Sequence, residues 1–136
     1  MYLLDTNIIS DIRKGLPKAV NWLRSTNPAG NYLSVITLGE IERGIAKKER
    51  SDRAAAGHLK AWLSTIRTEQ SSRILPIDDE VALAWGRISA QRPRGEADGL
   101  IAATALVHNL VLVTKNVADF HDTGVAVLDP WEGWKA

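Results

Sequence analysis

The chain has 136 residues, 45% of them hydrophobic and 24% charged, with a formal net charge of +1 and no cysteine. That length suits one domain of the usual ~100–150 residues, expected over 1–136, with the composition of an ordinary globular protein. Disulfides and thiolate metal sites are excluded, no apolar run nears the ~20 residues that cross a bilayer, and the start carries no basic leader or cleavage site, so the expected setting is cytoplasmic.

The first element is the apolar run Tyr2-Leu3-Leu4, which ends at once on Asp5. Such a run reads as a buried strand, and its carboxyl end is where open α/β sheets build ligand sites. Further β-type runs follow at Tyr32–Val35, Ile74–Ile77, Val111–Val113 and Val125–Leu128. Between them, Leu59, Trp62, Leu63 and Ile66 fall at helical spacing, and Val81, Trp85 and Ile88 repeat the pattern. The small residues Ala102, Ala103, Thr104 and Ala105 suit a helix packed closely on a sheet. Strands alternating with helices predict an α/β fold, with a central parallel sheet covered on both faces. Right-handed crossovers then bring the strand carboxyl ends to one edge. Pro28-Ala29-Gly30-Asn31, Pro93 with Gly95, and Asp122-Thr123-Gly124 read as turns. Trp131 and Trp134 in the aromatic tail read as packing residues or interface anchors.

Charge is unevenly distributed. Arg43, Lys47, Lys48, Arg50 and Arg53 crowd one segment, and Arg87, Arg92 and Arg94 another. A basic surface around an acidic pocket suits a phosphate-bearing polymer, although the same pattern fits a solvated helix face.

Four acids fall at strand ends or helix starts: Asp5, Glu40, Asp98 and Asp119. Each has a structural alternative. Asp5 suits a cap for the following helix. Thr37-x-x-Glu40 has the form of a capping box. Asp98 suits the positive end of a helix dipole, and Asp119 does the same behind an Asn116 N-cap. Together, on one edge of a parallel sheet, they converge on one cleft. Unpaired carboxylates there raise one another's pKa values. No lysine or arginine lies inside the Asp5, Glu40 or Asp98 motifs, and Lys115 is nearest to Asp119. A divalent cation is the natural compensation, and all-oxygen ligands favour Mg²⁺ or Mn²⁺ over zinc.

Leu3-Leu4-Asp5-Thr6-Asn7, Thr37-x-x-Glu40, Ala97-Asp98-Gly99-x-Ile101-Ala102-Ala103-Thr104-Ala105 and Val113-Thr114-Lys115-Asn116-x-x-Asp119-Phe120 resemble the motifs of the PIN-domain ribonucleases. The likeness is nearest to VapC-type toxins of toxin–antitoxin pairs, and the Pro130-Trp131 ending resembles the VapC and FitB-like branch. Single motifs are weak, but four in order at suitable spacing are specific. The resemblance runs from about residue 2 to residue 131. It implies a three-layer α/β/α sandwich and a Mg²⁺- or Mn²⁺-dependent endoribonuclease, with structured RNA such as tRNA as the target class. It also implies inhibition by a cognate antitoxin, a homodimer, and operator DNA bound only through the antitoxin complex. By the same resemblance Asp5 and Asp98 match the principal metal ligands. Glu40 matches an acid that holds metal or helps activate water, and Asp119 a more variable fourth acid. Thr6, Thr114 and Asn116 match polar residues that orient the carboxylates. The segment Gln91–Glu96 is a few residues shorter than usual, which bears on the cleft wall and substrate choice.

Other chemistries fit less well. A metal-free ribonuclease wants a histidine pair. His58 and His108 fall in helical stretches, leaving His121 near the acids as a minor substrate contact. Neither a phosphate-binding glycine loop nor a nucleophile elbow occurs. An aspartyl-phosphate enzyme lacks its second acid after Asp5. The rival to the nuclease is a catalytically silent PIN-like module that binds RNA or a partner; a DNA-directed nuclease is a further alternative.

Overall fold

In the computed structural model, which describes residues 1–131, strand β1 (Tyr2–Leu4) occupies the centre of a five-stranded sheet. The chain passes through α1 (Thr6–Arg13) and α2 (Pro17–Arg24) to β2 (Asn31–Ser34). It continues through α3 (Val35–Glu49) and α4 (Arg53–Glu69) to β3 (Ile74–Leu75). Helices α5 (Asp79–Gln91) and α6 (Glu96–Val107) then lead to β4 (Val111–Val113), and a 3₁₀ turn at Val117–Asp119 precedes β5 (Val127–Leu128). The strand order is β3-β2-β1-β4-β5, and every pairing is parallel. The expected parallel α/β/α architecture is therefore present.

Side chains alternate along a strand, so Leu3 and Leu4 enter opposite faces. Leu3 and Leu112 join Val81, Ile88, Ile101 and Phe120 in one core, under α5 and α6. Leu4 and Val113 join Ile8, Trp22, Ile45 and Leu63 in the other, under helices from α1 to α4. Each large apolar side chain buried in this way contributes about 1.5–3 kcal/mol relative to exposure. Trp22 is buried and meets the Tyr2 ring edge-on, with centroids 5.4 Å apart.

Three predicted strands change their bounds. Val35 opens α3 instead of ending a strand, because the Ser34 hydroxyl accepts the Ile36 N–H (3.0 Å) and starts the helix directly off β2. Strand β3 stops at Leu75, before Pro76, which has no N–H for a ladder. Strand β5 begins only at Val127, beyond the turn held by Thr123 and Gly124 (φ +84°). Trp131 is partly buried, whereas Trp134 lies outside the described residues. Among the described residues no helix is long and apolar enough to cross a membrane.

The sheet reverses its direction of growth between β1 and β4. At such a switch point the adjacent connections diverge and leave a crevice at the strand carboxyl ends. Asp5 follows β1 and Thr114 follows β4, so both stand at this crevice.

Candidate active site

Asp5 is extended in backbone (φ −67°, ψ 157°) and caps α1, its Oδ1 accepting the Thr6 N–H at 2.8 Å. Its other oxygen, Oδ2, accepts the Thr114 hydroxyl at 2.8 Å, in a fully buried bond across the switch point. Thr114 Oγ1 in turn accepts from Asn7 Nδ2 (3.3 Å) and the Asn116 N–H (3.1 Å). The carboxylate is 5% exposed yet fixed in orientation from both sides. Asp5 thus fulfils the capping expectation and still presents oxygen lone pairs, since an ionised carboxylate has about four acceptor sites.

Glu40 is held through α1. The Thr6 hydroxyl donates to Glu40 Oε1 at 2.6 Å and sits 3.0 Å from Thr37 Oγ1. A hydroxyl has one proton. Thr6 spends it on Glu40, so Thr37 must donate to Thr6. The predicted capping box is therefore corrected: Ser34 is the N-cap, Thr37 lies inside the first turn of α3 with 0% exposure, and Glu40 is tied to Thr6 instead of to the helix start.

Asp98 stands in the first turn of α6, behind Gly95 as N-cap. Asp119 is exposed at the end of the 3₁₀ turn after β4. The expected Asn116 side-chain cap is absent there; the Asp119 N–H instead reaches the Asn116 carbonyl at 3.0 Å.

The four carboxylates share one electrostatic field. Burial pushes the Asp5 carboxyl above its usual range, opposed by the bonds from Thr114 and the Thr6 N–H and reinforced by the charges of Glu40 and Asp119. Burial also raises Asp98, followed by the charges of Asp5, Asp119 and Glu40, while Arg94 pulls it down. Such mutual elevation is the mark of negative charge without sufficient compensation. The donor set is all oxygen, which fits a hard divalent cation and not zinc. Among the described residues no three acidic or histidine side chains are gathered tightly enough to form a finished metal cage.

A cleft of about 640 Å³ opens between α3 and α6, lined by Glu40, Arg43, Glu96 and Asp98 among others. Asp5 and Asp119 are not in its lining. A second cavity of about 270 Å³, between Leu4, Ile12, Trp62 and Ile66, is apolar and lies away from the four acids.

The cations are placed differently from their sequence neighbourhood. Arg43 Nη2 lies 3.7 Å from Glu40 Oε2, but the arginine side chain is 67% exposed, so this ion pair compensates little. Lys115 turns away from Asp119 and reaches the buried Asp11 of α1, Nζ to Oδ2, at 2.6 Å. Arg92 and Arg94 both bind Asp122 and the carbonyl of Asp119. That use removes them from the pool of cations free to grip a polymer. His121 Nδ1 donates to the Ala118 carbonyl (2.7 Å), which fixes its tautomer; His58 and His108 are exposed. Asp11, Asp122 and the arginine clamp were not legible as partners, because they meet across 25 or more residues without a short-range pattern.

The family model described as PIN domain matches residues 2–125. Toxin FitB of Neisseria gonorrhoeae is 36% identical over 96% of the chain and 99% of its own length. The tRNA(fMet)-specific endonuclease VapC of Shigella flexneri is 29% identical over 96% of this chain and 97% of its own. Among solved structures, FitAcB from Neisseria gonorrhoeae aligns with a TM-score of 0.78 at 34% identity, covering 97% of this chain and 99% of that one. VapBC2 from Rickettsia felis bound to a DNA fragment from their promoter aligns at 0.74 and 25% identity, covering 93% and 96%.

Proposed function

The chain belongs to the PIN-domain family, in the branch of the VapC and FitB toxins, and on that premise we propose that it is a divalent-metal-dependent endoribonuclease toxin. The observation that carries the reading is the buried Asp5 carboxylate at the sheet's switch point, held by Thr114 and the Thr6 N–H; burial first, and then the charges of the other acids, raises the Asp5 and Asp98 carboxyls. Asp5 and Asp98 would hold Mg²⁺ or Mn²⁺, whose charge, when bound, polarises a phosphoryl group. Thr114 and the Thr6 N–H keep the Asp5 carboxylate aimed. Glu40, pinned by Thr6, accepts a proton as water adds to phosphorus. The bond to the 3′ oxygen then breaks and that oxygen takes a proton from solvent, leaving 5′-phosphate and 3′-hydroxyl ends. Asp119 adds negative charge beside Asp98, and Arg43, Lys47 and Lys48 of α3 hold the RNA backbone.

The substrate class is structured RNA such as tRNA, by likeness to the endonuclease from Shigella flexneri. The partners are a cognate antitoxin and a second copy of the chain, with operator DNA bound through the antitoxin, in keeping with the promoter-bound relative. The whole chain, residues 1–136, acts as a single domain in the cytoplasm.

The test is cleavage of a cellular RNA pool with Mg²⁺ or Mn²⁺, then with EDTA, for the native protein beside Asp5→Asn and Asp98→Asn. Metal-dependent cutting lost in both variants supports the assignment, and cutting that persists in both overturns it. The alternative is a silent RNA-binding module on the same scaffold, against which the four acids at their motif positions argue. RNA retained without cutting under any metal is the outcome that selects it.

A further inference from the structure

Two arginines on the loop between α5 and α6 converge on one short segment beyond β4. Arg92 donates to Asp122 through Nε (2.6 Å) and Nη2 (3.3 Å), and through Nη2 to the Asp119 carbonyl (2.9 Å). Arg94 donates through Nη2 to both oxygens of Asp122 (3.2 and 3.3 Å) and through Nη1 to the Asp119 carbonyl (3.1 Å). The Arg94 side chain is only 4% exposed, so it is built into the structure and not swung over the surface. Bidentate guanidinium contacts of this kind fix orientation as well as distance.

The two ends of the clamp matter because of what they carry. Arg94 is separated by three residues from Asp98, and its charge acts on that carboxyl. The clamped carbonyl belongs to Asp119 itself. Beyond it the segment is closed by buried Phe120, whose carbonyl accepts the Thr123 hydroxyl at 2.7 Å. The clamp is therefore the direct tie between the backbone bearing Asp119 and the loop that leads into Asp98.

We propose that Arg94, seconded by Arg92, and Asp122 are positioning residues that set the spacing between Asp119 and Asp98. This rests on the nuclease reading above. Asp122 has a second consequence in the same role: it keeps two guanidinium groups off the neighbouring carboxylates, where they would compete with a cation. Two arginines share one carboxylate, so the clamp retains a net positive charge beside the acids without occupying them.

The test uses the full chain with Arg94→Gln, Arg94→Lys and Asp122→Ala, each confirmed folded by its melting curve. Four quantities are read: kcat and KM on RNA, Mn²⁺ affinity, and amide hydrogen exchange across residues 115–123. Misplacing a reacting group by about an ångström costs on the order of tenfold to a hundredfold in rate. Arg94→Gln is expected to lose that much in kcat with little change in KM, weaken Mn²⁺ binding severalfold, and speed exchange in 115–123. Lysine can make only part of the contact set, so Arg94→Lys recovers part of kcat. Asp122→Ala is expected to weaken Mn²⁺ binding more than Arg94→Gln, because it frees both guanidinium groups to enter the acid site. Unchanged kcat and Mn²⁺ affinity in folded Arg94→Gln, beside an active native protein, overturn the proposal. A loss confined to KM also overturns it and makes Arg94 an RNA contact. A native protein that binds no Mn²⁺ and cuts no RNA overturns the nuclease reading itself, and the positioning role falls with it.

Discussion

The Thr6 hydroxyl donates to Glu40 Oε1 at 2.6 Å, joining the first turn of α1 to the first turns of α3. The two residues are 34 positions apart, yet Thr6 is adjacent to Asp5. One side chain therefore fixes the orientation of one acid, while its own backbone N–H fixes another. Replacing Thr6 by Val keeps the shape and removes the donor. The net loss in stability is expected to be about 1.5–3 kcal/mol, the usual worth of a hydrogen bond to a charged group. The loss in kcat is expected to be about tenfold, because a general base loses its aim. Thermal melts beside steady-state cleavage check both, and an unchanged kcat removes Glu40 from the proton-transfer role.

Repulsion among the acids makes Asp98 costly to the metal-free fold. Its carboxyl is raised first by burial and then by Asp5, Asp119 and Glu40. A carboxyl raised on folding opposes folding once it ionises, and the penalty is relieved as pH falls below its folded pKa. Asp98→Asn is thus expected to melt higher than the native chain at neutral pH in EDTA, with the difference shrinking toward acid. Added Mg²⁺ is expected to raise the native melting temperature and leave the variant's nearly unmoved, since a ligand stabilises only the state that binds it. Melting curves with and without Mg²⁺ read both effects; a variant less stable than native in EDTA at neutral pH contradicts the repulsion argument.

Asp122 obeys the opposite sign. Hydrogen bonding from Arg92, with the charges of Arg92 and Arg94, holds its carboxyl down at about 2. An unfolded aspartate titrates near 3.9. The clamp's contribution is therefore complete above about pH 5, and is lost as pH falls through the interval from about 4 to about 2. In a series of melts from pH 6 to pH 2, the native chain and Asp122→Asn should differ by a constant amount above pH 5 and converge near pH 2. A gap that widens toward acid contradicts the ion pair.

Asp5 was legible because an acid placed at the end of an apolar strand has few structural excuses, and a parallel sheet puts that end at a crevice. Strands β1 and β2 followed from short apolar runs, and helices α4 and α5 from apolar residues at helical spacing. Glu40 was legible as a candidate site residue but its hold by Thr6 was not. Strand β2 runs into α3 without a turn, so Ser34 takes the cap that Thr37 seemed to offer. Lys115, Arg92 and Arg94 illustrate the same limit. Their partners are set by how helices and loops close over the sheet, and a basic residue's sequence neighbours do not say which carboxylate it will meet. Arg94 in particular looks like a surface cation in the sequence and is buried in the fold.

Gly99 links that closure to the site. It follows Asp98 in α6, and a Cβ built there would lie 3.0 Å from Cδ1 and 3.2 Å from Nε1 of Trp85 in α5. Such contacts are tighter than nine in ten real Cβ contacts, so Gly99→Ala needs the indole or the helix to give by a few tenths of an ångström. Trp85 is held between α5 and α6, and a ring has no flexible end to withdraw. Alanine gains up to about 1 kcal/mol in helix propensity, against a typical overpacking cost of about 1–3 kcal/mol. The expected net result is a destabilisation of about 1 kcal/mol. The larger effect is on the site: α6 is displaced at the turn that carries Asp98, so kcat and Mn²⁺ affinity should fall together. Pairing Gly99→Ala with Trp85→Ala, which removes both close ring atoms, should restore both in part. If the single variant is as stable and as active as the native chain, α6 has room to spare and the close approach of the two helices does not set the position of Asp98.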